Sequence, residues 1–137
     1  MFEWKEEYSV NVKEIDDQHK HFFEIISNVY TLKEQPSLTL EDLRGSVEEL
    51  RDYALFHLST EEFYFDKFNF DGAAEHVEVH NAFRRRIGDL IGTIEDKGAD
   101  PKILVESIAR FCGEWLANHI LEMDRLYIDC FVKNGMK

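Results

Sequence analysis

Five of the six histidines in this 137-residue chain fall on the apolar side of segments with helical period, and two carboxylates fall there with them. They are His19, His57, His76, His80 and His119, with Glu61 and Asp124. Such groups are costly to bury unless they are paired or bound to metal. A lone histidine in an apolar stripe is ordinarily a hydrogen-bonded core residue, but here that explanation would have to serve five times. Residues four apart share a helix face, so His57 with Glu61, and His76 with His80, can each grip one point. His119 and Asp124 are five apart, about 140° around an ideal helix. Both turn inward only if a π-bulge or an irregular turn lies between them.

Five imidazoles and two carboxylates are too many donors for one tetrahedral zinc and suit two six-coordinate ions. The zinc-protease motif is absent, because Val77 rather than glutamate follows His76. No Glu-x-x-His pair occurs, which disfavours a carboxylate-rich ferritin-type site.

The elements that must position these groups can be read from period and punctuation. A first helix is expected from about Asp16 to Glu34, with Pro36 beyond its end. A second begins after Thr39, where Thr39 and Asp42 form a weak capping box, and runs to about Phe68. Asp71 and Gly72 turn the chain into a third, which reaches about Lys97 and is ended by Gly98. Asp100 and Pro101 open the fourth as capping residue and first-turn proline.

Inward stripes follow at steps of three or four. They are Ile15, His19, Phe22, Phe23, Ile26 and Val29 on the first helix, and Leu43, Val47, Leu50, Ala54, His57, Glu61 and Phe65 on the second. On the third they are Ala73, His76, His80, Phe83, Ile87, Leu90 and Ile94, and on the fourth Leu104, Ile108, Phe111, Cys112, Trp115 and His119. In an up-down-up-down four-helix bundle the start of the first helix, the end of the second, the start of the third and the end of the fourth lie together. The polar core residues occupy those four places, which is how a metal site between helices looks. The expected fold is therefore all-α: one domain over 1–137, with an N-terminal arm over 1–15, where helical period is lacking, and the bundle over 16–132.

A formal charge of −12 argues against nucleic acid or anionic lipid as partner, since phosphate recognition needs clustered Lys and Arg. No apolar run is long enough to span a bilayer, and the first residues lack the blocks of a signal peptide, so the expected location is the cytoplasm. Cys112 and Cys130 are the only cysteines, and on one helix they would stand about 27 Å apart, beyond bridging distance.

Several motifs in order carry a further reading. The segment Ile15-Asp16-Asp17-Gln18-His19-Lys20, His57 through Glu61-Glu62, His76-x3-His80, and Trp115-x3-His119-Ile120 with Asp124 together resemble the hemerythrin family, in its bacterial branch, from Trp4 to about Tyr127. The resemblance implies two non-haem irons. It would place His76, His80 and His119 on one and His19 and His57 on the other, bridged by Glu61, Asp124 and an oxo or hydroxo group. The second iron is then five-coordinate, and dioxygen binds at its open position and leaves intact. Leu58 stands where this family often has phenylalanine, and Phe22 where an aliphatic residue is frequent, a volume-conserving exchange.

The expected oxygen pocket is Phe22, Leu58, Trp115, Leu116 and Ile120, with no evident acid among them. Imidazole-rich coordination suits ferrous iron. Both points favour reversible dioxygen binding, for carriage, storage or local supply, over enzymatic turnover. The alternatives are an oxygen or redox sensor and a diiron oxidase or peroxidase. Among the remaining residues, His21 is expected at the surface and Cys112 as an apolar filler. Tyr127 is expected as a packed ring, the aromatic run Phe63–Phe70 as packing with some exposed rings, and Arg84, Arg85 and Arg86 as a solvated face.

Overall fold

The computed structural model describes residues 2–95 and 98–137. Four long helices, α1 (Lys13–Thr31), α2 (Leu40–Lys67), α3 (Ala73–Gly92) and α4 (Pro101–Glu122), are followed by a short α5 (Ile128–Lys133). The long helices form a four-helix bundle in which α1 packs on α2 and α4, and α2 on α3. Phe83 of α3 closes the ring of helices by stacking on Phe111 and leaning against Trp115 of α4, with centroids 5.8 and 4.3 Å away. Among the described residues no helix is long and apolar enough to cross a membrane.

Local chemistry sets most of the helix ends. Thr39 and Asp42 form the expected capping box, each side chain accepting from the other's backbone N–H. Asp100 caps α4 by accepting from Lys102 N–H at 2.9 Å, with Pro101 in the first turn.

The start of α1 differs from the expectation: the helix opens at Lys13, three residues before Asp16. Asp16 does not cap it but reaches back into the arm, accepting from Val10 N–H at 2.8 Å and Ser9 Oγ–H at 2.6 Å. Those bonds hold the bend at Asn11, where φ is 61°. The orphan N–H of Lys13 is satisfied instead by the oxygen of Lys137, 2.9 Å away. The arm itself contains a 3-10 turn, Glu6–Tyr8.

α3 also ends early, at Gly92, and a 3-10 turn covers Thr93–Glu95. Thr93 Oγ donates to the Leu90 carbonyl at 2.6 Å, and Gly88 and Gly92 add little helix propensity. The expected end at Lys97 lies outside the described residues. The fourth long helix ends at Glu122, and the short α5 carries helical structure on to Lys133, one residue past the expected end at 132.

The inward stripes of α1 and α2 are buried as expected, and so is that of α3 except Ala73, which is half-buried. On α4 the stripe is rotated: Val105, Ile108, Ala109, Cys112, Leu116, His119 and Ile120 are buried, while Leu104, Phe111 and Trp115 are half-buried. Gly113 leaves room for the Phe2 ring of the arm, which a Cβ there would strike, and the large rings of Phe111 and Trp115 lie at the seam with α3.

Candidate metal centre

All seven polar stripe residues converge at one end of the bundle, none more than 4% exposed. His19 comes from the second turn of α1, His57 and Glu61 from the latter half of α2, His76 and His80 from the start of α3 and His119 from the last turn of α4. Asp124 reaches the same place because α4 stops. Met123 leaves the helix at φ −109°, ψ −49°, and Asp124–Tyr127 continue as a 3-10 turn. The five-residue step is thus accommodated by an irregular turn and not by a π-bulge.

The donor atoms fall into two groups. Glu61, His76, His80, His119 and Asp124 form one, and His19, His57, Glu61 and Asp124 the other, each with donors within 4.8 Å of one another. In the first group, Nε2 of His119 lies 3.1 Å from that of His76 and 3.2 Å from that of His80. Asp124 Oδ1 stands 3.0 Å from Nε2 of both His76 and His119, and Glu61 Oε1 is 3.3 Å from His80 Nε2. Donors bound at about 2.1 Å are separated by about 3.0 Å as octahedral neighbours and by about 3.4 Å in a tetrahedron. Most of these edges match the octahedral spacing. The second group is wider: His19 Nε2 is 3.2 Å from Asp124 Oδ2 and 4.0 Å from Glu61 Oε2, and His57 Nε2 is 3.6 Å from Glu61 Oε1.

The imidazole–carboxylate approaches in both groups are not hydrogen bonds, whereas Nε2 of His119 is within hydrogen-bond distance of its counterparts on His76 and His80. Both nitrogens of His19, Nε2 of His57, Oε1 of Glu61 and both oxygens of Asp124 are buried without a hydrogen-bond partner. Orphan donors and acceptors of this kind are rare in a core, and their lone pairs aim at shared points between them. Asp124 presents one oxygen to each group. The donor set therefore fits cations, and its imidazole-rich composition fits non-haem iron.

Outer partners orient the imidazoles. His80 Nδ1–H donates to Glu62 Oε2 at 2.7 Å, and Arg84 holds that carboxylate by two bonds of 2.8 and 3.0 Å. Burial raises the Glu62 carboxyl, but the hydrogen bonds from His80 and Arg84 outweigh it and hold the group at about 2. His57 Nδ1–H donates to Gln18 Oε1 at 2.8 Å, and burial lowers His57 to about 4, which favours the neutral ring a metal requires. Tyr127 O–H donates to Glu61 Oε2 at 2.5 Å.

Arg84 thus departs from its expected place on a solvated face, whereas Arg85 and Arg86 are exposed. Tyr127 is a packed ring, as expected, and a hydrogen-bond donor as well. The roles of Gln18, Glu62 and Arg84 depend on contacts between helices. The available signals were adjacency to His19 and Glu61, and the four-residue step from His80 to Arg84.

Of the expected pocket residues, Phe22, Leu58, Leu116 and Ile120 are buried in the core. Phe22 meets the His57 ring edge-on at 5.9 Å, and Trp115 stacks on His119 at 4.3 Å. His21 is exposed and rests edge-on against Tyr53. In the aromatic run Phe65 is buried and Phe63 is 61% exposed.

Fold and site together define a cation-binding four-helix bundle. The model of the hemerythrin HHE cation binding domain matches residues 10–131. A bacteriohemerythrin of Clostridium acetobutylicum is 30% identical over 131 residues, 94% of this chain and 100% of that protein. A hemerythrin-like protein of Naegleria gruberi is 28% identical, over 92% of this chain and 90% of that one. The crystal structure of a wild-type hemerythrin superposes with a TM-score of 0.82 at 26% identity, covering 93% of this chain and 95% of that one. The chain belongs to the hemerythrin family.

Proposed function

We propose that this chain holds two non-haem irons and binds dioxygen reversibly, without turning over a substrate. In this reading His76, His80 and His119 hold one iron and His19 and His57 the other. Glu61 and Asp124 bridge them together with an oxo or hydroxo group. The observation that carries the reading is the unequal pair of donor groups, five donors against four, sharing both carboxylates. The smaller group leaves one more position open for a ligand. A bound iron pair supplies the electrons and the open coordination position with which dioxygen is held and released.

The chain's own residues favour release of intact dioxygen. Phe22, Leu58, Leu116 and Ile120 are apolar and buried, and exclude water from the site. The buried hydroxyl beside the ligands is that of Tyr127, which already donates to Glu61. Burial pushes this phenol well above its ordinary value of 10, so it is a poor proton donor to an oxygen ligand.

The test is a cycle on the iron-loaded, anaerobically reduced protein. A visible absorption that grows on admitting oxygen and vanishes when it is swept out, with return of the reduced form, is expected. Direct conversion to a stable diferric state with no reversible absorption would sink the carrier reading in favour of an oxidase or peroxidase. Zinc in place of iron, at fewer than two ions per chain, would sink the two-iron assignment.

A further inference from the structure

The outer partners of the two donor groups carry different charge. On the three-imidazole side, His80 donates to an anion, Glu62, 2.7 Å away. On the two-imidazole side, His57 donates to a neutral amide, Gln18, 2.8 Å away. Neither His19 Nδ1 nor His76 Nδ1 has a hydrogen-bond partner, so they do not offset the difference.

Glu62 is also fixed in place. Arg84 grips both of its oxygens, and Arg84 Nη1 donates at the same time to Asn81 Oδ1 at 2.9 Å. The Glu62–Arg84 pair is neutral as a whole, but it turns its negative end to the imidazole. Both side chains are about three-quarters buried, with 23% and 26% of their surface exposed, so solvent screens this contact less than a surface pair. By contrast Gln18 is steadied by a long bond from its Nε2 to Thr60 Oγ, at 3.4 Å.

A carboxylate that accepts an imidazole N–H draws the proton toward itself, fixes the tautomer that leaves Nε2 free, and makes that nitrogen a stronger donor to metal. An amide oxygen fixes the same tautomer with a weaker pull. We infer that Glu62, pinned by Arg84, is a positioning residue that makes the His76–His80–His119 position the tighter of the two and the first to fill. Gln18 leaves the His19–His57 position weaker and second. The inference rests on the two-iron reading above and adds to it an order of loading written in the residues outside the ligand set.

The experiment is stepwise anaerobic addition of iron(II) to the metal-free protein, with free metal set by a competing chelator and helicity followed throughout. The unaltered chain is expected to bind in two resolved steps. Glu62→Gln keeps the shape and removes the charge, and should weaken the first step by about 10- to 100-fold with the second little changed. Arg84→Met unpins the carboxylate and should weaken the first step less. Gln18→Glu should tighten the second step, and combining it with Glu62→Gln should reverse the order of filling. This last result cannot come from simple loss of stability. If Glu62→Gln and Arg84→Met leave the first step unchanged, or weaken both steps alike, the inference is overturned while the two-iron reading stands. If the unaltered chain takes up fewer than two irons, the two-iron reading fails, and this inference with it.

Discussion

Oδ1 of Asp124 lies 3.0 Å from Nε2 of His119, although the two residues are five positions apart and belong to different elements. An unbroken α4 would carry Asp124 about 140° away from His119. The break at Met123 brings it back, and lets its second oxygen face His19 at 3.2 Å. One side chain thus serves both donor groups.

Asp124→Ala should therefore deplete both positions at once. Iron per chain, measured after desalting, should fall to well below one. His76→Ala, which touches one group only, should leave about one. His21→Ala should retain the full complement, because His21 is exposed and packs on Tyr53 away from the cluster. Equal iron content in the Asp124 and His76 variants would show that Asp124 is not shared.

Metal removal should destabilise the bundle sharply. The buried carboxylates and imidazoles have unsatisfied atoms without an ion between them. An ion that binds only the folded chain adds about 2.7 kcal/mol when its free concentration is a hundred times its dissociation constant. For a domain of this size that corresponds to roughly 10 °C in Tm. Calorimetry of iron-loaded and chelator-treated protein should show at least this difference, and coincident transitions would count against an ion in the core.

Much of this arrangement was legible in the sequence, because helical period reports directly on burial. The stripes of α1, α2 and α3 contain the ligands in line with their apolar neighbours, and chain direction brings them to one end. On α4 that logic misled, since the large rings Phe111 and Trp115 suggest core while Ala109 and Gly113 do not. In fact Gly113 faces the arm, where the Phe2 ring lies over it, and the rings of Phe111 and Trp115 pack at the seam with Phe83. The start of α1 was misplaced for a related reason. An aspartate near a helix start looks like a cap, and only the fold shows that Asp16 reaches backward to Ser9 and Val10. Glu62 carries no stripe signal and Arg84 only its four-residue step from His80, because half-buried charged residues look like surface until their partner across the helix pair is known.

Tyr127→Phe removes the O–H that donates to Glu61 Oε2 inside the core. A hydrogen bond to a charged group contributes about 1.5–3 kcal/mol, and the ring itself still stacks on Phe131 at 4.2 Å. The metal-free variant should lose stability of that order in urea unfolding, with no change in the slope of the transition. An unchanged midpoint would mean that Glu61 finds another donor.

The two cysteines should differ in reactivity. Cys112 is wholly buried on α4, and burial pushes its thiol up to about 12. The thiolate is the reactive form, so a raised value keeps Cys112 protonated and inert at neutral pH and well into the alkaline range. Cys130 lies on α5, half-buried, beside a surface cavity of about 490 Å³ that Phe68, Phe70 and Leu126 also line. A thiol reagent at mildly alkaline pH should modify one cysteine per folded chain, Cys130, and a second only on unfolding. Thiolate absorbance of the Cys130→Ser variant should stay flat up to about pH 10, roughly two units below the Cys112 value, as long as helicity is intact. An alkaline rise in that variant while it remains folded would show that Cys112 is reached by solvent.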